Sequence, residues 1–313
     1  MKPILPLSNQ STGHSAEIPA WVAARRGETA EMAAFSSGAA LAVLHPFVAQ
    51  RHASVPGALL RQRLALQATE YCLTLEGRRD SPGDIRDAVC LHRAGEALGP
   101  AGEVFSLWSQ ATRLPMTHRN WLNLLTDLLP ATLGPDVPAL VAEAGHGDPV
   151  GGATSVLVQM LTRWPRAETA ALICADVVLA RALGWFQPVP LLGWTLPRKL
   201  VRQAADGEKN MTGCHQALTQ AATQAIRIAQ DLERRAEQLR AAAPKLRAKA
   251  SDAAVELFLT QDAVFPGTML TPIVRGTSQP MTDRAARRLC DRLVSLGVIR
   301  ELTGRPSFRI YGV

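Results

Sequence analysis

The chain has 313 residues, 47% of them hydrophobic and 19% charged, with a formal net charge of +7 and a pI near 9.6. That is enough apolar material for a sizeable core, which excludes a wholly disordered chain, and the length holds one large domain or a medium and a small one. Aromatics make up only 5% and Ala and Leu fill the apolar quota, which favours packed helices over strand-rich sandwiches.

The basic balance fits a polyanionic partner such as nucleic acid, and equally a soluble basic protein. Five cysteines, Cys72, Cys90, Cys174, Cys214 and Cys290, are far apart and have neither zinc-ligand nor disulfide-framework spacing. The expectation is a reducing, cytoplasmic setting with buried thiols and with no metal or cofactor. Met1 to Gln10 lacks the basic and apolar regions of a signal peptide. The most apolar stretch, Ala170 to Phe186, carries Asp176 and Arg181 inside it, so no membrane span is expected.

In chain order, residues 1–18 are polar and read as a loose lead-in, and residues 19–249 as an all-helical domain. Helical runs cover Ala33 to Leu44, ahead of Pro46, and Leu59 to Leu75, with Pro56 and Gly57 between them. Ser81-Pro82 restarts a helix with proline just after a capping serine. Leu98 to Gly102 reads as a turn, followed by helices over Val104 to Ala111 and Trp121 to Leu129. Apolar runs then cover Val156 to Leu161 and Ala170 to Leu183, the latter stopped by Gly184 and the prolines behind it. A long helix over about 207–243 carries a seam at Leu218, Ala222, Ala225, Ala229, Leu232, Ala236, Leu239 and Ala243, spaced four and three. That seam serves either packing within the chain or a homodimer through residues 211–243. Pro244 and the basic hinge Lys245, Arg247 and Lys249 mark the boundary.

Residues 250–313 read as a small winged helix-turn-helix with a β-hairpin wing. One helix runs through Val255, Leu257, Phe258 and Leu259; the Pro- and Gly-rich stretch Phe265 to Pro280, where a positioning helix belongs, reads as a loop. Thr282 caps a second helix with Asp283 in its first turn. Ala286, Leu289, Cys290, Leu293 and Leu296 line one face of it; Arg284, Arg287 and Arg288 lie on the other, with Arg292 at the margin. Gly297 ends it, and Ile299 to Thr303 and Phe308 to Tyr311 read as strands joined by Gly304-Arg305-Pro306. On the second strand Phe308 and Ile310 share one face, Arg309 and Tyr311 the other. Met281 to Val313 holds seven arginines against three acids, so Arg284, Arg287, Arg288, Arg292, Arg305 and Arg309 are the candidate DNA contacts. Arg305, at the hairpin tip, is placed to enter a minor groove or meet a phosphate.

The chain resembles the bacterial domain of unknown function 1403 (DUF1403) family over most of its length. The resemblance rests on Arg61-Gln62-Arg63-Leu64-Ala65-Leu66, on Ile85-Arg86-Asp87-Ala88 after Gly77-Arg78, on Gly99-Pro100-Ala101-Gly102, on Leu183-Gly184-Trp185 with Pro188 to Leu192, on Ala243 to Lys249, and on Met281 to Leu289 with Arg300 to Arg305. Similar helix-plus-wing endings close other bacterial proteins, including Fic-type ones. The family brings no activity with it.

No catalytic constellation stands out. His45-Pro46-Phe47 is similar to the start of the Fic motif, but the Gly-Asn-Gly-Arg phosphate nest is replaced by Val48-Ala49-Gln50-Arg51. His45 and His52 lack a third metal ligand. Gly145 to Gly152 has no Gly-Lys-Ser/Thr and reads as a flexible loop. The acidic cluster Asp80, Asp84 and Asp87 suits a helix N-terminus. Asp176 and Arg181, inside an apolar helix, are expected to make buried structural contacts. The reading is a mainly α, non-enzymatic, DNA-binding protein, a transcriptional regulator or a plasmid- or mobile-element-associated factor; the alternative is an interaction scaffold whose winged helix binds a protein.

Overall fold

The computed structural model describes residues 18–22, 29–49, 54–93, 95–133, 135–144, 148–246, 251–275 and 279–313. The lead-in over 1–17, His52, Gly145 to Gly147 and the hinge residues Arg247 and Lys249 lie outside them. The described helices are α1 (Ala30–Ala49), α2 (Gly57–Leu75), α3 (Pro82–Cys90), α4 (Gly99–Ala111), α5 (Trp121–Leu128), α6 (Val137–Ala144) and α7 (Pro149–Arg163). They continue with α8 (Glu168–Ala182), the short α9 (Leu192–Thr195), α10 (Arg198–Ala205), α11 (Met211–Ala242), α12 (Ser251–Thr260) and α13 (Asp283–Ser295). The protein is mainly helical.

Every residue of α8 from Ala170 to Ala180 is buried. A helix apolar on all sides must be enclosed, and α7, α4, α6, α2 and α9 supply the enclosure. Leu172, Ile173, Val177, Val178 and Leu179 each gain roughly 1.5–3 kcal/mol from that burial. Asp176 sits among them. Its carboxylate accepts backbone N–H groups from Leu191 (3.1 Å), Leu192 (2.9 Å) and Gly193 (3.0 Å), and so anchors the first turn of α9. Arg181 does not share its burial: it is exposed and lies over the Trp121 ring, 4.7 Å from the centroid.

The seam of α11 is buried from Leu218 to Leu239, and α1 is its main cover. Ser37 meets His215 near the start of α11, and Arg240 near its end donates to the Ser54 carbonyl beyond α1. The two helices therefore run in the same sense. The face expected to serve intrachain packing or a dimer is filled by this chain's own helices.

Local signals place several helix ends. Ser81 and Asp84 form a reciprocal capping box for α3, and Thr282 accepts from the Ala285 N–H at the start of α13. Other boundaries differ from expectation. Pro46 does not end α1, which continues to Ala49; proline removes one helical bond, and packing on α11 holds the turn. Leu98 to Gly102 is not a turn throughout, because α4 starts at Gly99 with Pro100 in its first turn, where a missing N–H costs nothing. Gly151 and Gly152 are not loop residues but the first turn of α7, capped by Asp148.

After α12, Val264 and Tyr311 bridge through both backbone hydrogen bonds, at 2.8 and 2.9 Å. Beside them β3 (Arg300–Glu301) pairs antiparallel with β4 (Tyr311–Gly312) once β1 (Val274–Arg275) and β2 (Gln279–Pro280) have formed a pair of their own. The stretch expected to be a loop thus holds this pair and a turn of π-helix over Pro266–Leu270. Phe308 is not a strand residue. Its φ of +53° is left-handed, which breaks the alternation, so Ile310 and Tyr311 are both buried while Phe308 is 62% exposed and stacks beside Phe265.

By length and composition, α1 is long and apolar enough to cross a membrane (mean hydropathy 1.5 over an 18-residue stretch), and 44% of that stretch is buried within the protein.

Candidate nucleic-acid interface

α13 is amphipathic in the way its sequence requires. Ala286, Leu289, Cys290 and Leu293 are buried, and the opposite face presents Arg284, Arg287, Arg288, Asp291, Arg292 and Ser295 to solvent. Arg287 is paired with Asp283 one turn earlier, at 2.8 Å. Arg284, Arg288 and Arg292 form no ion pair among the described residues. Spaced by four, they make one ridge about 12 Å long, comparable to the roughly 12 Å width of a B-DNA major groove.

The remaining two predicted residues lie elsewhere. Arg305 does not project from a free tip: both its terminal nitrogens bond Asp87 of α3 at 2.7 Å. Its Nε is buried without a partner. The loop folds back because Glu301 accepts the N–H groups of Thr303 (2.8 Å) and Gly304 (2.9 Å), drawing the chain towards α3. Arg309 is exposed and donates to the Arg305 carbonyl at 3.1 Å.

Three residues that matter for this face were not singled out from the sequence as site residues. Asp262, at the end of α12, is 4% exposed and accepts from Arg63 of α2 and from Arg86 of α3, the latter at 2.7 Å. Arg63 also donates to the carbonyl of Val313, the last residue, at 3.2 Å. The two arginines stand in the segments Arg61 to Leu66 and Ile85 to Ala88, beside other polar residues, so no local signal set them apart. Arg300 stands near both, and desolvation, then the charges of Arg235, Arg63 and Arg86, lower its pKa.

The groups considered for chemistry are accounted for structurally. Burial pushes the thiols of Cys72, Cys90, Cys174 and Cys290 up to about 12, far from a reactive thiolate. No group of three metal-binding side chains occurs among the described residues. His118 accepts the Asn120 N–H at 3.1 Å. Asp84 is committed to its capping box, Asp80 to Arg78 and Asp87 to Arg305.

A family model described as Protein of unknown function (DUF1403) matches residues 7–313. No curated protein matches the sequence.

Proposed function

The chain belongs to that family, DUF1403, and from that premise we propose that it is a DNA-binding protein that lays α13 in the major groove. The observation that carries this reading is the ridge of Arg284, Arg288 and Arg292, exposed and without carboxylate partners among the described residues. Guanidinium groups so held can reach guanine O6 and N7 or the phosphates. The order around them supports it: α12, the bridging Val264, a π-helical turn with the β1–β2 pair, α13, then β3 and β4, so that a strand bridge and a hairpin flank α13 as in a winged helix. With Arg305 engaged by Asp87, the loop between β3 and β4 contributes Arg309 rather than Arg305 to the first encounter. A transcriptional regulator or a mobile-element factor would use such a face.

The test is fluorescence anisotropy of the full chain on mixed genomic DNA across a salt series, against Arg284→Ala, Arg288→Ala and Arg292→Ala combined. The expected result is weaker binding and a log–log salt slope shallower by about 0.9 for each phosphate no longer neutralised. Unchanged affinity and slope would reject the assignment. The protein-interaction reading draws on exposed Phe308 and Val294; a stoichiometric protein partner, with no DNA binding at low salt, would favour it.

A further inference from the structure

The tertiary structure gathers four polar residues that lie far apart in the sequence. Ser37, His45, Asp148 and His215 line one open cavity of about 480 Å³ between α1, the start of α7 and the start of α11. Leu41, Val150 and Leu183 are among its apolar walls. Among the described residues, Asp148 is the only acid or base of fixed charge on that lining, and its oxygens accept the N–H groups of Val150 (3.2 Å) and Gly151 (2.8 Å).

Hydrogen bonding occupies Nδ1 of both imidazoles. Trp185 donates its indole N–H to His45 Nδ1 at 3.1 Å. A ring nitrogen that accepts carries no proton, so neutral His45 keeps its hydrogen on Nε2. Ser37 Oγ lies within hydrogen-bond distance of the Ala34 carbonyl, at 3.0 Å. It also shares a hydrogen bond with His215 Nδ1 at 2.7 Å, which leaves Nε2 as the ring nitrogen not used by Ser37. Burial lowers the His215 pKa, against the opposing pull of the Asp148 charge. Ser37 and His45 are eight residues apart on α1, about 12 Å along its axis. Each end of the cavity thus offers one imidazole.

We propose that this cavity binds an elongated, uncharged organic molecule with a hydroxyl-like group, able to donate or accept, at each end and an apolar middle. The Asp148 carboxylate selects against anions. The site is independent of the nucleic-acid reading.

Gly38 supplies a clean block. It lines the cavity, and a Cβ built there meets nothing within 4 Å, so Gly38→Leu roots a bulky side chain at the cavity wall with no clash at Cβ and improves helix propensity. The probes are the terminal diols from butanediol to decanediol, titrated into the full chain with histidine ¹⁵N and ¹H shifts as the readout. Binding is expected to shift the His45 and His215 ring signals and to be tightest near octanediol, whose hydroxyls span close to the rise of about 12 Å between Ser37 and His45. His215→Ala should weaken octanediol about fivefold, the loss of one hydrogen bond, bringing it level with octanol. Gly38→Leu, confirmed folded by a melting temperature at or above the parent's, should abolish binding. Ring signals unmoved by every diol, or binding that survives Gly38→Leu, overturns the proposal.

Discussion

Two buried carboxylates show how differently the helical body and the C-terminal segment are built. Asp176, in the body, is satisfied by three backbone N–H groups only 15 to 17 residues further along the chain. Asp262, at the junction, is satisfied by guanidinium groups 199 and 176 residues away. The first solution is local and electrically neutral apart from the acid itself, so burial pushes Asp176 up to about 7 against the pull of its hydrogen bonds. The second brings opposite charges together and ties α12 to α2 and α3. Loss of the first should loosen the core, whereas loss of the second should release a whole segment.

The largest effect is expected from Asp262→Ala, which leaves Arg63 and Arg86 partly buried and unpaired. Removing one partner of such a pair costs about 3 kcal/mol or more. Hydrogen exchange should show protection lost across residues 251–313 before it is lost in α8. Simultaneous loss in both regions would erase the distinction between local and long-range anchoring.

Next is Gly193→Ala, which tests how tightly the Asp176 turn is packed. A Cβ there would lie 2.3 Å from the Trp108 ring, itself 1% exposed. Overpacking of this kind costs roughly 1–3 kcal/mol, measurable by urea unfolding. An unchanged midpoint would mean that the ring moves aside freely.

The third effect depends on pH. A carboxyl whose pKa is raised on folding stabilises the protein below its unfolded value, and that contribution is lost as pH rises through the folded value. From about pH 4 to 7 the parent should therefore lose stability relative to Asp176→Asn, by up to about 1.4 kcal/mol per pH unit. A flat difference between the two across that range would show that Asp176 stays ionised.

The smallest effect on stability belongs to Asp87→Ala. Its pair with Arg305 is part-exposed, with side-chain exposures of 31% and 38%, so about 1 kcal/mol or less is at stake. If α13 meets DNA, freeing Arg305 should tighten non-specific binding and steepen its salt slope by about 0.9. Weaker DNA binding would mean that the docked loop positions α13.

Local chemistry explains what was legible from sequence. Ser81-Pro82, Thr282-Asp283 and Gly297 act within a turn of themselves, and the helix boundaries they mark agree with the structure. The three-and-four spacing of α11 and the split faces of α13 are likewise properties of one helix, readable without its neighbours. Pro46 and Pro100 misled because packing on α11 and position in the first turn override a breaker.

The chain's own sequence thus determined its helical character, its family and the arginine face of α13, since each depends on residues at most a few turns apart. Tertiary structure alone decided that His45 and His215 share a cavity, that Arg63 and Arg86 converge on Asp262, and that Arg305 is held by Asp87. Those ion pairs join residues 176 to 218 positions apart. Side-chain periodicity within one helix carries no information about which distant helix it will face.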